Sequence, residues 1–275
     1  MKGRIFVVAG SDSGGGAGIQ ADIKSITALG GYAMTAITAL TAQNTLGVQG
    51  ILPVPPDFLR LQMTSVLDDL GADAIKTGML GDEATIEIVC DVIAQRAGTI
   101  PIVVDPVMVA TSGSRLLAES AIAQFRRRLL PLATLLTPNL PEAEVLTGIA
   151  IADEAAMHAA AHALRGLGAP AVLLKGGHLP GDTVIDLLAT ASGVQAFRAP
   201  RIETRHTHGT GCTLASAVAT GLAQGMTLAH AVTRARAYVR AAIETAPGYG
   251  AGHGPLNHAV TTRPDSLARS HRYRG

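Results

Sequence analysis

The sequence predicts an α/β fold: one central, mostly parallel β-sheet with helices on both faces and a small antiparallel hairpin at its edge. Three observations predict it. Short apolar runs alternate with longer amphipathic stretches along the 275 residues, which is the rhythm of right-handed βαβ units. Hydrophobic residues make up 48% but aromatics only 3%, with no Trp. Ala, Val, Ile and Leu must therefore fill the interior, as suits helices packed closely on a parallel sheet. The polar residues that interrupt apolar runs gather where those runs end, and open α/β sheets bind ligands beyond the carboxyl ends of their strands.

In chain order, residues 5–9 are apolar and stop at Gly10, which predicts the first strand, and residues 19–29 predict a helix. A strand over 35–40 closes at Thr41, and a helix follows over 57–70. Residues 74–76 form a strand before Thr77-Gly78, then a helix runs over 82–95 with Cys90 on its apolar face beside Ile86 and Ile93. Cys90 therefore reads as a core residue. Strands over 102–105 and 135–137 both end against a proline, and the stretch between them predicts a helix over 118–130. A helix over 153–167 leads to a strand over 172–175 that ends in Lys175. Residues 183–189 and 194–199, separated by Thr190-Ala191-Ser192-Gly193, predict the antiparallel hairpin. Helices over 212–223 and 228–245 complete the pattern. No repeat or low-complexity linker divides the chain, so one domain over 1–262 is expected, with 263–275 a polar, flexible tail.

Composition excludes several functions. The formal net charge is +1 and no basic block interrupts the main body, so neither nucleic acid nor a membrane surface is an expected partner. No apolar run approaches a membrane span, and the five apolar residues before Gly10 are too few for a signal segment. Two lone cysteines make no disulfide framework and fit a reducing, cytoplasmic setting.

The segment Thr207-His208-Gly209-Thr210-Gly211-Cys212 carries the most chemistry. A glycine pair running into a helix offers backbone N–H groups to an anion, and the helix dipole adds to that attraction. Cys212 stands in the first turn, where a thiolate gains stability. The same residues also fit a plain turn before a buried helix. Thr137-Pro138-Asn139-Leu140-Pro141-Glu142 places two hard oxygen donors at a strand end, as magnesium prefers. An Asn/Pro turn with Glu142 capping the next helix fits it equally. Lys175-Gly176-Gly177-His178 sets an ammonium group where it needs an anionic partner or a snorkelling path to water. Gly16, Gly18 and Ala21 match a permissive dinucleotide spacing, yet no acid falls between Asp22 and Asp57 to hold a ribose. No P-loop or protein-kinase motif occurs. His158 and His162 lack the glutamate of a zinc-protease helix, and His206 and His208 lack partners at zinc spacing.

Taken together these loops resemble the ribokinase-like vitamin kinases, above all the hydroxymethylpyrimidine/phosphomethylpyrimidine kinases. The marks run from Ala9-Gly10-Ser11-Asp12-Ser13-Gly14-Gly15-Gly16-Ala17-Gly18 through Thr41-Ala42-Gln43, Lys76-Thr77-Gly78-Met79 and Asp105-Pro106-Val107-Met108. They continue through the three segments just described, in order and without a large gap. The resemblance implies a ribokinase-like fold and ATP-dependent phosphorylation of a pyrimidine alcohol, then of its monophosphate, in thiamine biosynthesis. It implies magnesium, admits a monovalent cation, and suggests a homodimer. By position, Gln43, Asp22, Met79, Ala17 and Val107 would line the pyrimidine pocket. Asn139, Thr210, Gly209 and Lys175 would hold phosphate, and Glu142, Asn139 and Asp105 would organise the metal. Gly209 and Gly211 would form the anion hole, with Cys212 as base in place of the usual aspartate of sugar kinases. A thiol of ordinary pKa about 8.5 needs the helix terminus and cations to serve near neutrality. Rival readings are a pyridoxal-type kinase, a non-catalytic vitamin-binding regulator and, least of all, a dehydrogenase.

Overall fold

A computed structural model describes residues 1–108 and 116–262. The predicted tail at 263–275 lies outside the described residues. Nine strands form one sheet in the order β3-β2-β1-β4-β5-β6-β7-β8-β9. The parallel centre comprises β2 (Tyr32–Asn44), β1 (Arg4–Asp12), β4 (Ala74–Thr77), β5 (Ile102–Val104), β6 (Leu135–Leu136) and β7 (Val172–Lys175). The predicted hairpin, β8 (Thr183–Thr190) and β9 (Gly193–Pro200), closes one edge antiparallel to β7. The architecture is the one that the resemblance to ribokinase-like kinases implies.

Strand residues alternate between two cores, as the pleat requires. Ile5, Val7, Ala74, Val103 and Leu173 face α1 (Gly18–Ala28), α7 (Thr210–Ala223) and α8 (Leu228–Glu244). Phe6, Val8, Ile75, Val104 and Leu174 face α2 (Pro56–Asp69), α3 (Glu83–Arg96), α4 (Ala121–Gln124), α5 (Leu140–Thr147) and α6 (Glu154–Gly166). Small side chains let the helices approach. A Cβ on Gly221 of α7 would stand 2.7 Å from Ala231 Cβ of α8, so the alanine-rich composition is itself the packing solution.

Three elements depart from the sequence expectation. A ninth strand, β3 (Gly47–Pro53), pairs antiparallel with β2 at the far edge. Most of its residues are exposed, so it carries no apolar period to betray it. The helix expected over 118–130 is α-helical only in α4, then continues as a π-turn over Phe125–Leu129 and a 3₁₀ turn over Leu130–Leu132 around Pro131. Helix α5 follows Asn139 at once, where the sequence had offered only a turn with a capped helix as an alternative.

Candidate active site

The carboxyl ends of the central strands open into one cleft of about 560 Å³. All seven strand-end segments singled out in the sequence contribute to its wall. Gln43, Met79, Ala17 and Val107 line it, as do Asp105, Asn139, Glu142, Lys175, Gly209, Thr210, Gly211 and Cys212. Asp22 does not. It is fully buried behind the wall, which corrects the expectation that it lines the pocket.

The floor is built where the starts of α1 and α7 meet. Gly209 caps α7 with φ +86°, and a Cβ there would collide with the carbonyl oxygen of Gly16. Only glycine satisfies both conditions. Among the described residues, the N–H groups of Gly211 and Cys212 have no backbone partner, as the first turn of a helix requires. Both residues line the cleft. The Thr210 hydroxyl is turned away and donates to Thr207 O at 2.7 Å.

Asp12 ties the two glycine loops together. Its carboxylate accepts the N–H groups of Gly14, Gly16 and Ala17 at 2.8–3.0 Å and contacts His208 Nε2 at 2.8 Å. Burial pushes its pKa up, but His208 and the N–H donors more than reverse that, leaving it below the usual carboxylate range. Gln43 Nε2 lies 3.4 Å from the same ring nitrogen, so one imidazole borders both the loop and the Gln43 amide on the cleft wall.

Beside Gly211 stands a charged group of three. Lys175 Nζ donates to Asp105 Oδ1 at 3.1 Å, and Thr137 Oγ1 donates to that oxygen at 3.1 Å. Glu142 is buried nearby. Burial raises its pKa to about 7, Lys175 opposing and Asp105 adding to the rise. Burial also works against the charge of Lys175, yet Asp105 and Glu142 carry its pKa upward overall. Asn139 Oδ1 accepts the Glu142 N–H at 2.9 Å, and Glu142 Oε2 accepts the Asn139 N–H at 2.8 Å. This is a capping box, so the amide oxygen expected as a metal or phosphate ligand is committed to the start of α5. Asp105 is likewise matched by Lys175. Among the described residues no three His, Cys, Asp or Glu groups form a metal cage. The donor set nevertheless fits magnesium brought in on phosphates, because Glu142 is a hard oxygen ligand whose raised pKa a cation would relieve.

Cys212 is half-buried on the cleft wall. Burial pushes its thiol up to about 12, while Lys76 and the Gly18 N–H pull it down and Asp22 and Asp105 push it further up. Against the expected stabilisation of a thiolate at the helix start stands this burial, which Lys76 and the Gly18 N–H do not offset in the protein alone. Two functional groups were missed by sequence reasoning, Asp12 and Lys76. Asp12 was hidden inside a glycine run that reads as plain flexibility. Lys76 did leave a signal, since a lysine within a four-residue strand of buried positions has no route to water.

The family model of phosphomethylpyrimidine kinase matches residues 12–257. The chain is 51% identical over 255 residues to the hydroxymethylpyrimidine/phosphomethylpyrimidine kinase of Streptomyces coelicolor, covering 92% of this chain and 93% of that one. It is 51% identical over 259 residues to the thiamine biosynthesis bifunctional protein ThiED of Geobacter sulfurreducens, covering 94% of this chain and 53% of that one. The chain thus spans about half the length of that bifunctional relative. Among solved structures, the pyridoxal kinase from Staphylococcus aureus in complex with AMP-PCP and pyridoxal superposes with a TM-score of 0.88 at 33% identity, covering 96% of each chain.

Proposed function

The chain belongs to the phosphomethylpyrimidine kinase family and is a phosphotransferase of thiamine biosynthesis; from that premise we propose that it moves the γ-phosphoryl group of ATP twice. The first acceptor is the alcohol of 4-amino-5-hydroxymethyl-2-methylpyrimidine, and the second is the monophosphate so formed. One observation carries the reading. Gly211 and Cys212, whose N–H groups have no backbone partner among the described residues, line the same cleft as Lys175, whose Nζ would lie 3.2 Å from a Cβ on Gly211.

Phosphoryl transfer depends on positioning and on stabilising charge spread over the transferring oxygens. The acceptor oxygen attacks the γ-phosphorus, the bond to the β–γ bridging oxygen breaks, and ADP leaves. The Gly211 and Cys212 N–H groups and Lys175 meet the charge on the group in flight. Gln43, Met79, Ala17 and Val107 surround the pyrimidine ring, with Gln43 as its hydrogen-bonding partner. Cys212 Sγ accepts the alcohol proton in the first step. In the second step the acceptor is already an ionised phosphate oxygen and needs no base. Glu142, with Asp105 beside it, would hold magnesium through the nucleotide's phosphates, and the ion supplies charge neutralisation when bound.

We extend the reading to a cytoplasmic homodimer. Two free thiols suit a reducing compartment. Exposed Leu40 and Leu52, cross-strand partners on the β2–β3 edge, with Phe58 and Leu61 of α2, give an apolar face to cover. Light scattering on a sizing column tests it, a monomer mass at micromolar concentration counting against it.

The fold match to a pyridoxal kinase makes pyridoxal the rival acceptor. ADP release measured side by side with the pyrimidine alcohol, its monophosphate and pyridoxal decides. Turnover on both pyrimidines, far above that on pyridoxal, is expected. Pyrimidine binding without ADP release would leave a regulator instead of an enzyme.

A further inference from the structure

Lys76 sits in the parallel centre of the sheet, registered between Val7 of β1 and Val103 of β5. Its side chain is 0% exposed. Nζ donates to both carboxylate oxygens of Asp22, on α1, at 3.0 and 3.1 Å. Ser216 of α7 donates to the same carboxylate at 2.6 Å. The fold alone gives no reason for this arrangement, because replacing a buried ion pair by apolar groups of similar volume is often neutral or stabilising.

The cleft gives a reason. Cys212 precedes Ser216 by four residues on α7, so the two side chains share one helix face. Lys76, Gly18 and Cys212 border the same cavity, and α7 packs across β4. The charged groups acting on Cys212 are Lys76, Asp22 and Asp105, together with the Gly18 N–H, and Lys175 interacts with it as well. Asp105 is engaged by Lys175 at 3.1 Å. Lys175 is already paired with Asp105, so of the two cations Lys76 is the one whose charge acts most on Cys212.

We propose that Lys76, fixed by Asp22 and Ser216, is a positioning residue whose ammonium is the counter-charge on which Cys212 Sγ becomes a thiolate, Asp22 setting how much of that charge the sulfur receives. The inference rests on the reading of Cys212 as base for the alcohol step. The thiol gives its proton to solvent through the open cleft. It takes one back from the alcohol as the O–P bond forms, and Lys76 keeps its own proton throughout.

The test reads Cys212 directly, as the rate of its alkylation by iodoacetamide at about pH 8.5, followed by mass spectrometry of its peptide so that buried Cys90 does not interfere. At a pH below the thiol's pKa, lowering that pKa by about one raises the thiolate fraction, and so the rate, about tenfold. Asp22→Asn leaves Lys76 without its carboxylate and is expected to accelerate alkylation about tenfold or more. Lys76→Met is expected to slow it by a similar factor. The charge-neutral pair Lys76→Met/Asp22→Asn removes both influences, the larger being that of Lys76, and is expected to be slower than wild type. Rates within twofold of wild type in folded variants, or changes of the same sign in both single variants, overturn the proposal. Should Lys76→Met fail to fold, an unaccelerated Asp22→Asn or a double variant at the wild-type rate overturns it alone. Full alcohol turnover by Cys212→Ala would instead sink the base reading, whatever the alkylation rates show.

Discussion

Gly209 and Gly211 look alike in sequence and do different work. Gly209 has a left-handed backbone and touches the Gly16 carbonyl, so Gly209→Ala should lower the melting temperature and abolish turnover together. Gly211 has no such backbone constraint, and its missing Cβ leaves room beside Lys175 Nζ. Gly211→Ala should keep the wild-type melting temperature while kcat falls about 10²–10³-fold, the usual cost of spoiling one donor of an anion hole. Circular dichroism melts alongside ADP release separate the two. Cys212→Ala should harm the alcohol step much more than the monophosphate step, and equal losses would mark a structural thiol. Because the Cys212 thiol is pushed up to about 12, its thiolate fraction grows about tenfold per pH unit across the neutral range. Alcohol turnover should therefore climb from pH 7 to 9 while the monophosphate step stays flatter. The glycines and the thiol were legible in the sequence because they cluster in six residues. The rest of the residue chemistry was not. The resemblance makes Asp22 a ligand-facing acid, and only the approach of α1 to β4 and α7 turns it inward to Lys76 and Ser216.

Among elements, α5 shows how a local signal carries two meanings. Asn139 and Glu142 cap each other's backbone, and Asn139→Ala should cost about 1 kcal/mol in urea unfolding through the lost cap. Glu142 has a second property. Folded, it keeps its proton up to about 7, whereas the ordinary value is 4.5. The folded state thus binds more protons between those values, and stability falls as pH rises through that window and stays lower above it. Glu142→Gln should raise the melting temperature relative to wild type at pH 8 and give little gain at pH 5. Most elements could be read because apolar runs and turn residues punctuate them. The strand β3 could not, since an exposed edge leaves no alternation to read, and the α4 region could not, since Pro131 and the π-turn break a pattern that looks continuous.

At the scale of the whole molecule, the parallel sheet, its two layers of helices and the strand-end position of the cleft follow from pattern alone. The segment after α8 does not, because its role is tertiary. His258 is buried there, with Nε2 2.9 Å from Thr213 Oγ1 and its carbonyl accepting the Tyr238 hydroxyl at 2.6 Å. Burial, helped by Lys24 and His208, lowers its pKa from 6.5 to about 4. The unfolded chain therefore takes up a proton that the folded chain refuses, and stability is lost as pH falls from 6.5 towards 4. His258→Gln should flatten the acid limb of a plot of melting temperature against pH; an unchanged limb would show that His258 is not the group responsible.

The bond between Asp12 and His208 joins positions 196 residues apart, and this has a bearing on biosynthesis. A ribosome delivers the first glycine loop long before its partner. Until then the nascent chain has half a cradle and nothing to close it, so it spends no nucleotide. In refolding, recovery of catalysis should accordingly trail recovery of helix signal, because loop closure over so long a contour is among the last and slowest steps the chain completes.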